Sequence, residues 1–325
     1  MSRAVAGWLK GELESAIVAG GGCAAEMRSI SEWLQHPQGR AVMSEPLLHI
    51  SSTSDSTGRI LEYRLPQRPL AGIRVLDLTR VLAGPVATRF LAGYGADVLR
   101  IDPRDWEEPG VAPEVTLGKR CARMDLKSRS GRALFESLLS TADVLVHGYR
   151  PGALAALGFD DEARRRIAPG LIDVSLNAYG WSGPWFERRG FDSLVQMSAG
   201  IADAGMAWRS ANCPIPLPVQ ALDHSTGYLM AAAAVRGLAQ RQLTGCGYRA
   251  RVSLARTAKA LLDQGRYEGC ASLDPEHEED VDPTIEQTTW GPARRLRAPV
   301  SIAGTPLHWS RPATALGTAV ARWTQ

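Results

Sequence analysis

Short apolar runs typical of buried strands alternate with helical segments between residues 72 and 264. The runs that we predict as strands are GIRVLDL, GADVLRID, TADVLVHG, LIDVSLNAYG and TGCGYRARVSL. Helical patterns lie between them at 85–94, 130–141 and 223–241, and another begins at 256. Because parallel strands need a crossover, which a helix usually supplies, this alternation predicts an α/β fold. We expect an open parallel sheet of Rossmann-like βα units with right-handed crossovers.

The residues before this region have a different character. Residues 4–18 show helical spacing that a triple glycine ends, and a second short helix fits 28–34. The segment SSTSDSTG at 51–58 is small and polar, and RLPQRPL at 64–70 is punctuated by proline. Such segments are typical of a linker. We therefore predict an N-terminal helical segment and linker over residues 1–70.

The alternating pattern fades after residue 265. The run LDPEHEEDVDP at 273–283 is acidic and bounded by proline, which is typical of a solvated connection. The last stretch, WGPARRLRAPVSIAGTPLHW, predicts one pair of strands. We accordingly expect an α/β domain over 71–265, followed by an acidic linker and tail over 266–325.

The amino-acid composition limits the classes of protein to which this chain could belong. The 325 residues are 45% apolar and 22% charged, and their net charge of +3 is spread along the chain. Nucleic-acid binding proteins usually concentrate Lys and Arg in a stripe or tail, so no nucleic-acid partner is expected. The five cysteines are widely spaced without a Cys-x-x-Cys pair. This spacing indicates neither a zinc site nor a disulfide framework, and it favours a reduced, cytoplasmic setting.

Two apolar stretches could be mistaken for membrane or targeting segments. Residues 4–23 are interrupted by Lys10, Glu12 and Glu14, so we do not predict a signal peptide. The stretch 228–239 carries Arg236 and is too short to cross a bilayer. We expect no membrane partner.

Three loops that follow predicted strands or lie near their ends carry residue types suited to a ligand. The first is the turn Thr79–Pro85, which lacks a Gly-x-Gly-x-x-Gly fingerprint but allows close approach at Ala83. The second is GKRCARMDLK at 118–127, whose cations could neutralise phosphates, and the third is GYRPGALAALG at 148–158. For each, a structural reading stays open: a tight turn, a solvated surface, or core packing of Tyr149.

An acidic residue, Asp223, stands at the start of the helix predicted over 223–241. One interpretation is a helix cap, because Asp accepts hydrogen bonds from first-turn N–H groups. The other is a carboxylate nucleophile at the positive end of a helix. No Gly-x-Ser-x-Gly elbow is present, and the histidines are not at metal spacing, so no metal is expected. His224 does not face its neighbour Asp223 on a helix, so we read the pair as incidental.

Taken in order, these stretches resemble the class III coenzyme A transferase family, the CaiB/BaiF group. The resemblance is carried by RVLDLTRVLAGPVATRFLAGYGADVLRID, by GKRCARMDLKSRSGRALFESLLSTADVLVHGYRPGALAALGF, by LIDVSLNAYGWSGPWFERRGFDSLVQMSAG and by ALDHSTGYLMAAAAVRGLAQRQLTGCGYRARVSL. It runs from about residue 70 to 260, and the tail of the chain resembles the end of family members. The resemblance implies the family's large domain, within an α/β fold.

The resemblance also implies a reaction and a set of site residues. Asp223 matches the family's nucleophile, which attacks an acyl-CoA thioester to form a mixed anhydride and releases CoA thiolate. A carboxylate at a helix N-terminus is expected to stay ionised. The substrates would be acyl-CoA and an acceptor carboxylic acid, with no metal. The residues that match the family's CoA-binding positions are Arg80, Val81, Leu82, Ala83, Met124, Leu126, Lys127, Gly148, Tyr149 and Arg150. Among them, Lys127 and Arg150 would contact phosphates, and Leu82, Ala83 and Tyr149 would flank the adenine or pantetheine.

The chain departs from the family pattern in several places. Gly148 stands where members usually have Asn, and Ala156 where an Arg is common. The family's smaller domain is largely missing after the helix that begins at 256, and residues 6–40 resemble a segment that family members carry just before their C-terminal tail. Because family members form interlocked dimers, we expect a homodimer or a heterodimer with a second family member.

Two alternative functions follow from these departures. The chain could be a non-catalytic, CoA-binding or structural subunit of a heteromeric transferase whose second chain completes the site. A related branch racemises 2-methylacyl-CoA with a His in a Gly-His-Asp sequence, but the matching stretch here is Gly190-Phe191-Asp192. Because Phe191 cannot transfer a proton, racemase chemistry is disfavoured.

Overall fold

The computed structural model describes residues 2–56, 67–265 and 275–324, whose strands form one seven-stranded sheet and one two-stranded hairpin. The strands are β1 (His49–Ser56), β2 (Arg74–Leu78), β3 (Asp97–Asp102), β4 (Arg120–Arg123), β5 (Val144–His147), β6 (Ile172–Asn177), β7 (Cys246–Ser253), β8 (Val281–Thr288) and β9 (Gly291–Leu296). The large sheet has the order β1-β7-β6-β5-β2-β3-β4. Its pairs β4–β3, β3–β2, β2–β5 and β5–β6 are parallel, which confirms the predicted α/β fold.

Helices of the described chain separate most of these strands. They are α1 (Ser2–Val5), α2 (Lys10–Ala19), α3 (Ile30–Gln35), α4 (Pro37–Ser44), α5 (Ala83–Gly93), α6 (Ala112–Val115), α7 (Arg129–Leu139), α8 (Ala153–Ala156), α9 (Asp161–Ile167), α10 (Asp192–Ser198), α11 (Ile201–Trp208), α12 (Ala221–Thr244) and α13 (Leu254–Asp263). A short 3-10 helix, Glu278–Asp280, precedes β8. In the part of the chain that is described, no helix is long and apolar enough to cross a membrane.

The chain forms two compact units. The first unit consists of Met1–His49, Leu176–Thr226 and Arg251–Gly265, and the second of Ile50–Ser175, Gly227–Ala250 and Arg266–Gln325. Three strands and α12 therefore continue from one unit into the other.

The core of the second unit lies on the apolar strands β2, β3 and β5. Leu76 and Leu99 on the first two strands are fully buried, and α7 covers them with Phe135. The ring of Phe135 meets that of Phe159 edge to face, with centroids 4.8 Å apart. Burial of the strands on both faces explains their nearly continuous apolar sequences.

Helix α12 approaches the start of α5 closely at a glycine. A Cβ at Gly227 would lie 2.5 Å from the carbonyl oxygen of Ala83 and 2.9 Å from Val86. The next residue, Tyr228, packs its ring against Phe90 with centroids 5.5 Å apart. A larger residue at position 227 would force the two helices apart, so the glycine sets their spacing.

A buried ion pair joins β2 to the residue that precedes β4. Lys119 Nζ donates to Asp77 Oδ2 at 2.9 Å and to the Pro85 carbonyl at 3.0 Å. Asp77 also accepts from the Thr79 amide at 2.9 Å and from the hydroxyls of Thr79 and Thr88 at 2.5 Å. Lys119 and Asp77 are at most 1% exposed. The pair therefore fixes β2, the start of α5 and the approach to β4 from inside the unit.

The charges around Asp77 keep its carboxylate ionised. Burial by itself raises the pKa of Asp77, but the cations of Lys119 and Arg100 together with the hydrogen bonds hold it below its ordinary value. A carboxylate with four donors is an electrostatically satisfied buried charge.

The N-terminal helices of the first unit pack on the loop that follows β6. Gln38 donates to the carbonyls of Tyr179 and Ser182 at 2.7 and 2.8 Å and accepts from the Trp185 amide at 2.6 Å. Glu45 Oε1 accepts from the amides of Trp181 and Ser182 at 2.8 Å. These two side chains thus satisfy backbone groups of a loop more than 130 positions away in sequence.

Two local predictions were wrong, and one strand was missed. The expected linker at 51–58 belongs, up to residue 56, to β1, an edge strand beside β7, and residues 57–66 lie outside the described part. A polar strand is stable there because an edge strand needs a backbone partner on only one side. The short strand β4 was not predicted. The strand pair predicted within residues 290–309 was wrong in its position: β8 lies before that stretch and begins within the acidic run, and only β9 lies inside it, while residues 273–274 of that run are not described.

The buried ion pair leads to a stability prediction. Replacing Lys119 with Met leaves the Asp77 carboxylate buried without its cation, and breaking such a pair costs about 3–5 kcal/mol. We expect urea unfolding to show a loss of this size. Lys127→Met, at an exposed lysine of the same segment, is the matched control and should change stability by less than about 0.5 kcal/mol. Equal, small effects of the two variants would contradict the role of the pair.

Candidate active site

Asp223 lies in the first turn of α12, within the first unit. The helix begins at Ala221, two residues earlier than predicted, so Asp223 is its third residue. Its side chain is buried, with 6% of its surface exposed. A carboxylate so placed is removed from water at the positive end of a 24-residue helix.

A second carboxylate, Asp192, holds the first turn of α12. Asp192 is the first residue of α10 and is 1% exposed. Its Oδ2 accepts the amide hydrogen of Asp223 at 2.9 Å, and its Oδ1 accepts from Gln196 Nε2 at 2.5 Å. Gln196 Oε1 accepts in turn from the Leu217 amide at 2.8 Å. An amide that lacks a partner within its own helix is therefore bonded by a residue of another helix.

The carboxylate of Asp223 itself accepts no hydrogen bond from the described residues. The helix-cap interpretation of this side chain thus has no geometric support, because a cap would accept a first-turn N–H. Burial, and then the charge of Asp192, raises the pKa of Asp223 to about 7. The expectation that the helix terminus keeps this group fully ionised was wrong, because desolvation and a like charge outweigh the helix dipole.

The second unit brings the predicted loops after β2 and β5 to one edge of the sheet, together with residues 124–127 of the segment predicted at 118–127, whose residues 120–123 form β4 itself. Strands β2, β4 and β5 run parallel within the same sheet, so the loops after each of them leave from its carboxyl edge. Ligands of open α/β sheets bind at this edge.

Arg80 and Tyr149, predicted from separate loops, are in contact. Arg80 Nη2 donates to the Tyr149 hydroxyl at 3.1 Å, and its guanidinium lies 5.3 Å from the centre of that ring. The guanidinium also lies 4.9 Å from the ring of Trp106, and its Nε is 3.8 Å from Asp102 Oδ1. The result is a cation between two aromatic rings, an arrangement suited to a flat or anionic group.

The turn between β2 and α5 is strained at Val81. This residue has a φ of 67°, which is rare for a β-branched side chain. Its amide donates to Glu108 Oε2 at 3.1 Å, and the following residue, Leu82, caps α5 without a side-chain hydrogen bond. Strain of this kind concentrates at functional sites.

The remaining residues that were predicted to contact CoA fall into two groups, exposed residues and buried ones. Lys127, Gly148 and Arg150 are exposed at the loops. Met124 and Leu126 pack in the core, and Ala83 is also buried, so these residues could offer a ligand little beyond their backbone.

The cations of the 118–127 segment do not share one role. Lys119 is paired inside the core, and Arg120 binds Asp97. Arg123 donates to the carbonyls of Arg104 and Trp106 at 2.7 and 2.9 Å. Of these four residues, only Lys127 has a side chain without a hydrogen-bond or ion-pair partner among the described residues.

Sequence reasoning missed four residues of these arrangements. Asp192 and Gln196 support the first turn of α12, and Trp106 and Glu108 support Arg80 and Val81. The sequence comparison involves Asp192 only as the last residue of Gly190-Phe191-Asp192. Because Asp192 and Asp223 are 31 residues apart, no local sequence pattern links them. The described residues contain no group of three side chains that could hold a metal ion.

Comparison with known proteins identifies the family. The model of CoA-transferase family III matches residues 70–318, more than half of the chain, and the protein belongs to this family. It is similar to an acyl-CoA transferase of Gibberella moniliformis, with 31% identity over 78% of this chain and 46% of the relative. It is also similar to the succinyl-CoA:glutarate CoA-transferase of Mus musculus, with 33% identity over 64% of this chain and 50% of the relative. The chain spans about half the length of these curated relatives.

Solved structures agree with this assignment. A crystal structure of Rv3272 from M. tuberculosis aligns with a TM-score of 0.56 and 31% identity, covering 61% of this chain and 57% of that one. A CaiB/BaiF family protein from Brucella suis aligns with a TM-score of 0.54 and 25% identity, over 70% of this chain and 65% of that one.

The raised pKa of Asp223 predicts a pH-dependent stability effect. The folded state keeps the proton up to about pH 7, whereas the unfolded chain releases it near the ordinary value of 3.8. Stability from this group therefore falls between those pH values. Asp223→Asn removes the penalty, so we expect it to stabilise the protein by about 2.6 kcal/mol more at pH 8 than at pH 5.

Urea unfolding of both proteins at the two pH values measures this difference. A third protein, Asp223→Ala, tests the helix-cap interpretation. If the Asp223 side chain only caps the helix, this variant should lose about 1 kcal/mol of unfolding free energy at both pH values. That outcome would contradict the buried, unpartnered carboxylate described above.

Proposed function

We propose that the protein transfers CoA from an acyl-CoA to a carboxylic acid through a mixed anhydride on Asp223. The observation that carries this proposal is a buried carboxylate in the first turn of α12 that accepts no hydrogen bond from the described residues. A structural aspartate is normally paired when buried, whereas a nucleophile must keep its oxygen free for the substrate. Family membership supports the same reaction class.

The chemistry of such a site balances without a metal or a redox partner. An oxygen of Asp223 attacks the thioester carbonyl carbon, the C–S bond breaks, and CoA leaves as the thiolate. The thiolate then attacks the aspartyl carbonyl carbon, which gives an aspartyl–CoA thioester and releases the first acid. The acceptor carboxylate and the thiolate repeat these exchanges in reverse order, which yields the new acyl-CoA and free Asp223.

The raised pKa suits this role. A carboxylate with a pKa of about 7 is more basic than an ordinary aspartate and therefore a stronger nucleophile when ionised. Burial adds to its reactivity, because only a small part of the residue is exposed and little water has to be displaced before attack. The reactive fraction rises with pH until Asp223 is fully ionised.

We propose that CoA binds at the carboxyl edge of β2, β4 and β5 in the second unit. Lys127 and Arg150 are exposed cations that suit its phosphates. Arg80, held between Trp106 and Tyr149, suits a flat or charged part of the nucleotide.

The donor and acceptor are proposed by comparison. A mouse relative is named for succinyl-CoA and glutarate, so short acyl-CoAs and dicarboxylic acids are the first substrates to test. The expected assembly is a homodimer or a pair with a second family member, in a cytoplasmic setting. Sedimentation of the purified chain with and without such a partner would determine the assembly.

Trapping with hydroxylamine tests the anhydride. The protein is incubated with succinyl-CoA or other acyl-CoAs and quenched, and the modified residue is mapped by peptide mass spectrometry. We expect a hydroxamate on Asp223 of the unaltered chain and none in Asp223→Asn. CoA binding without any adduct would contradict the transfer reaction and favour the alternative of a CoA-binding subunit.

Titration calorimetry with CoA at two salt concentrations tests the phosphate contacts. Lys127→Ala should weaken CoA binding about tenfold, the loss of one charge-assisted hydrogen bond. The effect should shrink as salt rises, since exposed charges are screened. Arg129→Ala, which removes an exposed cation at the start of α7, is the matched control. Equal weakening by both variants would show a general charge effect instead of a contact at Lys127.

A further inference from the structure

We infer that Asp192 is a positioning residue for the reaction proposed at Asp223, and that its negative charge promotes acylation of that residue. The inference rests on the proposed function. Asp192 acts through Asp223 in two ways: it fixes the first turn of α12, and it places a second buried charge beside the attacking carboxylate.

The positional role follows from an oriented chain of three hydrogen bonds. The Leu217 amide donates to Gln196 Oε1, which leaves Gln196 Nε2 to donate to Asp192 Oδ1. The other oxygen, Oδ2, then accepts the amide of Asp223. Since each side-chain atom of this chain makes one of these bonds and Leu217 fixes the orientation of the Gln196 amide, the chain determines where the backbone of Asp223 lies.

The electrostatic role follows from the charges in the first unit. Helix α10 contributes Asp192, and α13 meets α12 through neutral hydroxyls, Thr257 and Thr226, 2.8 Å apart. The cations of α13 are used elsewhere. Arg256 donates to the carbonyl of Glu45, and Lys259 pairs with Asp263. Within the described residues, no cation forms an ion pair with Asp192 or Asp223.

Two buried carboxylates without a shared cation repel each other while both are ionised. Acylation removes the charge of Asp223, because the anhydride is neutral and the negative charge leaves with CoA thiolate. Acylation therefore removes the repulsion between the two carboxylates. Hydrolysis or transfer that restores the free Asp223 carboxylate would restore this repulsion, so Asp192 disfavours that step. Asp192 therefore favours the acylated enzyme relative to a site in which its charge is absent.

The three hydrogen bonds allow a double variant in which the negative charge moves from position 192 to position 196 while the bonds are kept. Asp192→Asn alone would place its amide against Gln196 Nε2, two donors face to face. The double variant Asp192→Asn, Gln196→Glu removes this conflict. Its Asn amide donates to the new carboxylate, which also accepts from Leu217, while the Asn oxygen accepts from Asp223. Net charge and three hydrogen bonds are retained, and the charge moves away from Asp223.

The experiment measures the rate of CoA release in the first turnover of the full chain from pH 5 to 9. In the double variant we expect the midpoint of the pH profile to fall by about one unit. The plateau rate should fall about tenfold, with CoA affinity unchanged. A wild-type midpoint and plateau in the double variant would overturn the inference. The variant His224→Asn removes the neighbouring imidazole, so it identifies any part of the profile that belongs to the histidine.

A second readout separates this inference from the proposed function. The stabilisation at pH 8 produced by Asp223→Asn is measured in the wild-type and the double-variant backgrounds. We expect Asp223→Asn to stabilise the double variant less than it stabilises the wild-type chain, whether or not acyl transfer occurs. An unchanged gain would overturn the charge effect of Asp192. Absence of an Asp223 adduct together with a reduced gain would overturn only the reaction.

Discussion

The ion pair between Lys119 and Asp77 is the constraint on which the second unit depends. It is buried where β2 ends, and it reaches the start of α5 through the carbonyl of Pro85. The turn between these elements contains Arg80 and the strained Val81. A strained turn persists only when its surroundings fix it, and a buried charge network bonded to both flanking elements does so. The shape of the proposed CoA edge is thus a consequence of an ion pair buried inside the unit.

Asp77 and Asp223 show how one residue type takes two roles in the same chain. Both are buried. Asp77 receives four hydrogen bonds, one of them from a cation, and its pKa falls below the ordinary value. Asp223 accepts none from the described residues and lies beside Asp192, and its pKa rises to about 7. The difference lies in the donors and charges around each carboxylate, and it distinguishes a fully bonded aspartate from one that accepts no hydrogen bond in the described chain.

The N-terminal segment gives the first unit part of its structure. Gln38 and Glu45 bond the backbone of the loop after β6, and Arg28 pairs with Glu14 at 2.8 Å while its amide bonds the carbonyl of Met197. Met197 belongs to α10, the helix that begins with Asp192. A segment far away in sequence therefore supports the helix whose first residue bonds the amide of Asp223, even though family resemblance places its counterpart elsewhere in the chain.

The amino-acid sequence alone determined the order of βα units, the loops at the carboxyl edge and the place of Asp223 in a first helical turn. These features depend on local periodicity and on residues that begin or end helices, which act over a few positions. Tertiary structure decided that residues 49–56 form an edge strand, that Lys119 is a core residue whereas Lys127 is free in the described chain, and that Asp192 bonds Asp223. Burial and charge pairing join residues that are 31 or more positions apart, so no local pattern encodes them. Only the folded chain could show which carboxylate is fully bonded and which accepts no hydrogen bond from the described residues.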